Sequence, residues 1–379
     1  MLNIFLACDA NVERAGVCLF ILQWVRGIRT AYADSKILVY FRKRVLNEEL
    51  KAEFNSLGAE IITGELPENG TSLSSRNRNK VRMDVRKLFQ DNKFDVVHVN
   101  SSAVGFSCVI LSEAKRANIP VRISHSHGRN LGNGIKNIYL FFLKRWLKTL
   151  ATKYAGCSVD AGIYLFGNSG VDSNKWMFVP NTINVETFTF SESERINRRS
   201  QIGIEDDTLV LGATGQLIVR KNHNYLLDVI NELKKRNVNA KLIVLGEGDQ
   251  RKTLEKRIKD LDLDNYVFLL GESNEIPKWL SSMDFYAMPS LTEGLPIGAV
   301  EAQANGLYCL LSDGVPLDVD LSADVYHLPI VGDTDKWADL IMKLPIKSKS
   351  QRIEGARTVI DAGFDTHKTP EYVRQLYEI

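Results

Sequence analysis

The stretch EGLPIGAVEAQANG at residues 293–306 sets two glutamates, Glu293 and Glu301, eight positions apart around a Gly/Pro-interrupted apolar segment. Glu293 precedes Gly294, where the missing Cβ lets backbone approach a ligand closely. If 297–305 form a helix, Glu301, eight positions or about two helical turns on from Glu293, can reach the same space from one helical face. An ionised carboxylate accepts two hydroxyl hydrogen bonds, the chemistry by which acidic residues recognise a ribose diol. A charge complementing the helix dipole would account for Glu293 but explains Glu301 poorly.

Upstream, GATGQLIVRKN (212–222), GEGD (246–249), GESNE (271–275) and TEGLPIG (292–298) each follow a strand-like run. Such loops offer backbone N–H groups where helices begin, and helix starts favour anions. Arg220 and Lys221 add two cations, a combination suited to a diphosphate. GEGD resembles part of a dinucleotide fingerprint, but the full G-x-G-x-x-G is absent and a plain turn accounts for the fragment more readily. His125 and His127, in HSHG, end another apolar run and could serve one site, although a single histidine there is more often structural. Three or four convergent metal ligands are not visible, so no metal is expected.

These residues need a scaffold that gathers loop ends. Apolar runs alternate with helical periodicity from the first residues: LNIFLA, KILVYF, DVVHVN and VRISHSH with helices between, then TLVLGATG, KLIVLGEG, YVFLLG, FYAMPS and YCLLSD in a second set. The alternation predicts βαβ units and parallel sheets. Two sets predict an α/β chain of two Rossmann-like domains facing an interdomain cleft, spanning 1–183 and 184–365, with segment 366–379 packing back on the first. The polar stretch SESERINRRS (191–200) reads as a linker region.

At 379 residues the chain suits two domains, and 44% apolar with 25% charged residues is the composition of a soluble globular protein. No apolar run reaches the roughly 18 residues of a spanning helix, and no signal peptide is apparent, so the expected location is cytoplasmic. The five cysteines lack metal or disulfide spacing and read as small buried hydrophobes. Residues 1–180 carry 25 Lys and Arg against 15 Asp and Glu, the remainder 23 against 31. A basic first half suggests an anionic surface or substrate there, and solvated charge accounts for it equally well. Within it, RNRNKVRMDVRK (76–87) and IKNIYLFFLKRWLKTLATKYA (135–155) mix cations with Phe141, Phe142 and Trp146. That is the composition of an interfacial helix at an anionic membrane, and equally of an ordinary packed helix.

TEGLPIGAVEA resembles the E-x7-E motif of glycosyltransferase family 4, the retaining GT-B enzymes. VRISHSHG, KWMFVPNTINVETF, RKNHNYLLDVI, LGEGDQRKTLE and IPKWLSSMDFYAMPS extend the resemblance, to members that build capsules and exopolysaccharides, over nearly the whole chain. The resemblance implies that Glu293 contacts hydroxyls of the transferred sugar and Glu301 binds the nucleotide ribose. It places the backbone of Gly294, Leu295, Pro296 and Ile297 along sugar and phosphates, Lys221 on the leaving diphosphate, and Gly271 to Ile276 at the base. Gly215, Gln216, Arg220 and Gly246 complete the donor set. His125 or His127 falls near the reacting sugar, with Arg14, Gly16 and His127 on the acceptor side. Three positions depart from the family pattern: Gln216 stands where it has arginine, Cys18 where it has glutamate, and Asn184 where it has aspartate.

The implied reaction moves a hexose from a nucleoside diphosphate sugar, UDP first, to a lipid-diphosphate-linked or oligosaccharide acceptor with retained configuration. The donor is a substrate and no cofactor is implied. Partners are that donor, a polyprenyl-diphosphate-linked saccharide and an anionic inner-membrane surface, without nucleic acid. A GT-B nucleotide-sugar epimerase and a non-catalytic sugar-nucleotide-binding partner are the alternatives.

Overall fold

The computed structural model describes residues 1–13, 16–64, 75–128, 136–332 and 334–378. The chain divides into two compact units, Met1–Thr182 with Thr366–Ile379, and Ile183–Asp365. The division falls one residue before the boundary expected from sequence, because Ile183 bridges to Asp365 in the second unit.

The first unit holds a parallel sheet of β1 (Asn3–Cys8), β2 (Lys36–Phe41), β3 (Ala59–Thr63), β4 (Val96–Asn100), β5 (Val121–Ser126), β6 (Lys153–Gly156) and β7 (Trp176–Phe178), in the order 3-2-1-4-5-6-7. NIFLAC and VVHVN are buried almost throughout, as strands covered on both faces must be. On one face, Ile4 and Leu6 pack with Ile21, Trp24 and Ile28 of the helix Gly16–Ala31, and with Val373, Leu376 and Tyr377 of the helix Thr369–Tyr377. On the other, Phe5, Val97 and Val99 pack with Val81, Phe106, Ile110 and Leu147.

The second unit repeats the plan with β8 (Leu209–Thr214), β9 (Ala240–Leu245), β10 (Val267–Gly271), β11 (Phe285–Met288), β12 (Tyr308–Ser312) and β13 (Val325–Leu328), ordered 10-9-8-11-12-13. Every recorded pairing in both sheets is parallel, and strand order reverses between β1 and β4 and between β8 and β11. Loops at the carboxyl ends of the two strands flanking such a reversal diverge and leave a crevice for a ligand. The short strands β6, β7 and β13 are invisible to periodicity, having only three or four residues each.

The supposed linker is a helix, Glu192–Gln201, opened by Ser191, whose hydroxyl accepts from Glu194 N at 3.3 Å. Its Arg199 is buried, paired with Asp284 at 2.8 Å and donating to the carbonyls of Ser282 at 2.9 Å and Thr208 at 3.0 Å. Arg195 takes the other Asp284 oxygen at 2.7 Å. A polar sequence thus docks by paired, buried charge rather than by an apolar stripe, which is why it reads as solvent-exposed. All five cysteines are buried and unbridged.

Candidate active site

β8 runs into Gly215, Gln216 and Leu217, then into a single 3-10 turn, Val219–Lys221. Asn222 ends that turn in the left-handed conformation (φ 53°), and its side-chain amide donates to Pro289 O at 3.2 Å. Leu291 N in turn donates to Arg220 O at 2.8 Å. These two bonds tie the loop after β8 to the loop after β11 across the point of strand-order reversal. Glu293 N donates to Gly314 O at 3.0 Å, which anchors the same loop to the segment after β12.

The cross-tied loops bring three charges together. Glu293 pairs with Lys221 Nζ at 2.8 Å through one oxygen and with Arg220 Nη1 at 2.7 Å through the other. Arg220 Nη1 also donates to Thr292 O at 3.0 Å. Burial pushes the Glu293 carboxyl up, but the charge and hydrogen bond of Lys221, with Ser290 and Arg220, outweigh it and hold Glu293 below the usual glutamate value. Two cations on one carboxylate leave the cluster net positive, as an anion site requires. Gln216 is exposed and supplies no charge, so Arg220 is the second cation here.

Glu293 does not cap the following helix. Pro296 occupies the cap position of Ile297–Ala304 without a side-chain hydrogen bond, so the helix start retains its positive polarity. Pro296 itself has no N–H to offer. Leu295 and Pro296 are buried, which leaves their backbone rather than their side chains to face a ligand. Gly294 joins Glu293 to this turn.

The expected glycines gather at neighbouring strand ends. Gly215 N donates to Leu245 O at 2.9 Å and Gly246 N to Gly271 O at 2.8 Å, stepping across β8, β9 and β10. Gly215 has φ 124° and Gly246 φ 153°, and a Cβ on Gly246 would collide with Gly215 O. Only glycine permits this backbone approach. Ile276 opens the helix Ile276–Ser282 at the far end of the loop that starts at Gly271.

Glu301 sits in the second turn of its helix, half-buried, with no ion pair or hydrogen bond to its carboxylate among the described residues. Burial therefore raises it to about 7. The two glutamates are driven apart: one held ionised by cations, the other holding its proton nearly to neutrality. The folded chain binds the Glu301 proton more tightly than the unfolded chain does, so this group makes stability fall as pH rises from the usual glutamate range through about 7. Asp9, raised to about 6 by burial, adds to the same slope. Glu301→Gln is expected to remove its share, so the melting temperature should decline less between pH 5 and about 7.5 than in the wild type. An unchanged profile would refute the assignment.

In the first unit, His125 and His127 stack at 4.2 Å between ring centroids, with Phe20 edge-on to both at 4.9 and 4.6 Å. His127 Nε2 lies 3.0 Å from Asn100 Oδ1, which fixes its proton on Nε2 and leaves Nδ1 as an acceptor. His127 is half-buried, whereas His125 is fully buried and bonded through Nδ1 to His98 Nε2 at 3.0 Å. Burial lowers all three histidines, His127 to about 3, so the stack is neutral. Gly16 is exposed at the start of its helix; Arg14 lies outside the described residues. His98 and Asn100 are missing from the expected site, although their alternation with valines in DVVHVN is a legible sign of polar groups on one face of a buried strand.

Two Rossmann-like domains of parallel sheet, one bearing a net positive cluster and an uncapped helix start where its strand order reverses, define the GT-B class of glycosyltransferase. The same fold, with a TM-score of 0.78 over 99% of both chains at 18% identity, occurs in Anabaena Alr3699/HepE, solved with UDP. Residues 194–352 match the family described as "Glycosyl transferases group 1". Over 376 residues, 98% of this chain and 95% of the relative, the sequence is 30% identical to EpsF of Bacillus subtilis. It is 26% identical, over 79% of each chain, to the UDP-Gal:alpha-D-GlcNAc-diphosphoundecaprenol alpha-1,3-galactosyltransferase of Escherichia coli. The chain belongs to the group 1 glycosyl transferases and is a glycosyltransferase enzyme.

Proposed function

We propose that this enzyme is a retaining transferase of family 4 that moves a hexose from a UDP-sugar to a polyprenyl-diphosphate-linked or oligosaccharide acceptor in capsule, exopolysaccharide or O-antigen assembly. The observation that carries the reading is the Lys221–Glu293–Arg220 cluster beside the uncapped helix start at Ile297. It offers positive charge to a diphosphate and a carboxylate to sugar hydroxyls in one place. The lipid-linked acceptor of the E. coli relative and the UDP-glucose complex of HepE support the substrate classes.

In this scheme the bond from the sugar anomeric carbon to the diphosphate breaks as the acceptor oxygen attacks from the same face. The acceptor proton passes to the departing phosphate oxygen. Lys221, Arg220 and the helix start neutralise the charge that develops there, with no metal in the scheme, and Glu301 binds the ribose. The first unit is assigned to the acceptor, through Gly16 and His127. The test is calorimetric titration of UDP- and GDP-sugars, followed by product analysis with and without a diphosphate-linked lipid acceptor. Sugar transfer from UDP-hexose supports the reading; conversion of the donor without acceptor identifies an epimerase and overturns it.

Peripheral membrane contact at the cytoplasmic face belongs to the same proposal. No helix among the described residues is long and apolar enough to cross a membrane. The helix Lys136–Leu150 exposes Tyr139 (54%), Phe141 (58%), Phe142 (63%) and Trp146 (41%), and Met83 (70%) lies on the basic helix Ser75–Asp91. Arg78 donates to Tyr139 Oη at 2.8 Å, joining the two helices into one cationic, aromatic patch. The protein is expected to float with vesicles containing anionic lipid at low salt and to remain below with zwitterionic vesicles. Equal behaviour with both would remove the membrane from the proposal.

A further inference from the structure

Behind the stacked histidines runs a buried chain of hydrogen bonds that the transfer scheme does not use. Trp24 Nε1 donates to Tyr377 Oη at 2.8 Å, Tyr377 Oη lies 3.0 Å from His98 Nδ1, and His98 Nε2 lies 3.0 Å from His125 Nδ1. All four side chains are at most 1% exposed. The rings of His98 and His125 are parallel within 3°, and His125 carries His127 on its other side. Tyr377 comes from the helix Thr369–Tyr377, which the chain reaches only after completing the whole second unit.

The chemistry of these groups gives the chain one direction. An indole nitrogen can only donate, so Trp24 occupies a lone pair of Tyr377 Oη. The Tyr377 hydroxyl proton then has His98 Nδ1 as its acceptor. His98 must carry its own proton on Nε2 and donate it to His125 Nδ1, which puts the His125 proton on Nε2. Among the described residues this polarity leaves one buried donor, His125 Nε2–H, without an acceptor, whereas the opposite polarity would leave both the Tyr377 hydroxyl proton and the His125 Nε2 lone pair unmet, which costs more. Among the described residues no carboxylate takes part, and burial disfavours a charged imidazole at His98 and His125. The relay therefore holds His125 as one neutral tautomer in one ring orientation, and His127 stacks on that ring.

We infer that Tyr377 is a positioning residue for the histidine stack: through His98 it fixes the tautomer and orientation of His125, and thereby the placement of His127 for an uncharged sugar or acceptor hydroxyl. This inference rests on the assignment of the histidine stack to the transfer reaction. The test combines nitrogen-15 NMR of the imidazoles with steady-state kinetics on the full chain. In the wild type, His98 and His125 should both be protonated on Nε2; a His125 protonated on Nδ1 overturns the relay without any variant. Tyr377→Phe keeps the ring and removes the hydroxyl. It should give mixed tautomers at His98 and His125, leave His127 protonated on Nε2, and lower kcat about threefold to tenfold with donor KM unchanged, the scale of one neutral hydrogen bond. Mixed tautomers with unchanged kcat overturn the positioning role. Unchanged tautomers in a folded Tyr377→Phe protein overturn the relay itself. If the wild type transfers no sugar while its tautomers are as stated, the functional assignment fails and the relay stands.

Discussion

Lys221→Ala is expected to lower kcat/KM by about 10²–10³-fold, the loss typical of removing one preorganised group that meets charge developing in a transition state. Lys221 is the less exposed of the two cations on Glu293, its side chain 16% accessible against 43% for Arg220, so its field is less screened by water. It is held on the turn Val219–Lys221 by the Asn222 bond to Pro289 and the Arg220 carbonyl bond to Leu291, neither of which uses the lysine side chain. The substitution should therefore leave the loop in place, while the melting temperature falls because the buried Glu293 carboxylate keeps Arg220 but loses its less exposed cation. UDP affinity should fall as well, because the cluster loses its net positive charge. Turnover equal to wild type in a folded variant would remove Lys221 from the mechanism.

Glu293→Gln is expected to cut kcat by a similar factor through loss of the carboxylate that accepts sugar hydroxyls, yet to move UDP affinity in the opposite direction. Glutamine keeps the shape but removes the negative charge, leaving Lys221 and Arg220 to act on a diphosphate without a competitor. UDP should bind as tightly as to the wild type or more tightly, while catalysis with the intact donor collapses. Two unpaired cations about one amide also cost some stability, and the pH dependence gives the sign. The carboxyl of Glu293 is held below its ordinary value in the folded chain, so its stabilisation is present above that ordinary value and is lost as pH falls through the depressed one. Glu293→Gln should abolish this acid-side loss. Calorimetry of UDP with both variants separates the roles: weakening in both would mean that Glu293 organises the cations rather than contacting the sugar.

The contrast between the two glutamates marks the limit of what local sequence carries. The spacing of Glu293 and Glu301 makes them candidates for one site, and the helix Ile297–Ala304 that carries Glu301 follows from the apolar run after Pro296. Their different proton affinities do not follow, because they depend on cations from a loop some 70 residues upstream and on the burial of Glu301 without an ion pair among the described residues. The same holds for the substituted Gln216. The resemblance implies a cation at Gln216 that this chain lacks, and only the cross-tied loops show that Arg220 lies on Glu293.

What the sequence determined by itself was the alternation of strands and helices, the two-domain division, and the residue types that could bind a diphosphate and a sugar, since each of these is written in short-range periodicity and composition. Strand order, and with it the reversals between β1 and β4 and between β8 and β11 that flank the site loops, was decided by tertiary pairing. So was the conversion of SESERINRRS from apparent linker to docked helix, because Asp284, which receives Arg195 and Arg199, lies more than 80 residues away. The buried chain from Trp24 through Tyr377 to His98 and His125 spans up to 353 residues between bonded partners. No local pattern encodes such a contact, because it exists only once the helix Thr369–Tyr377 has packed against the first unit's core.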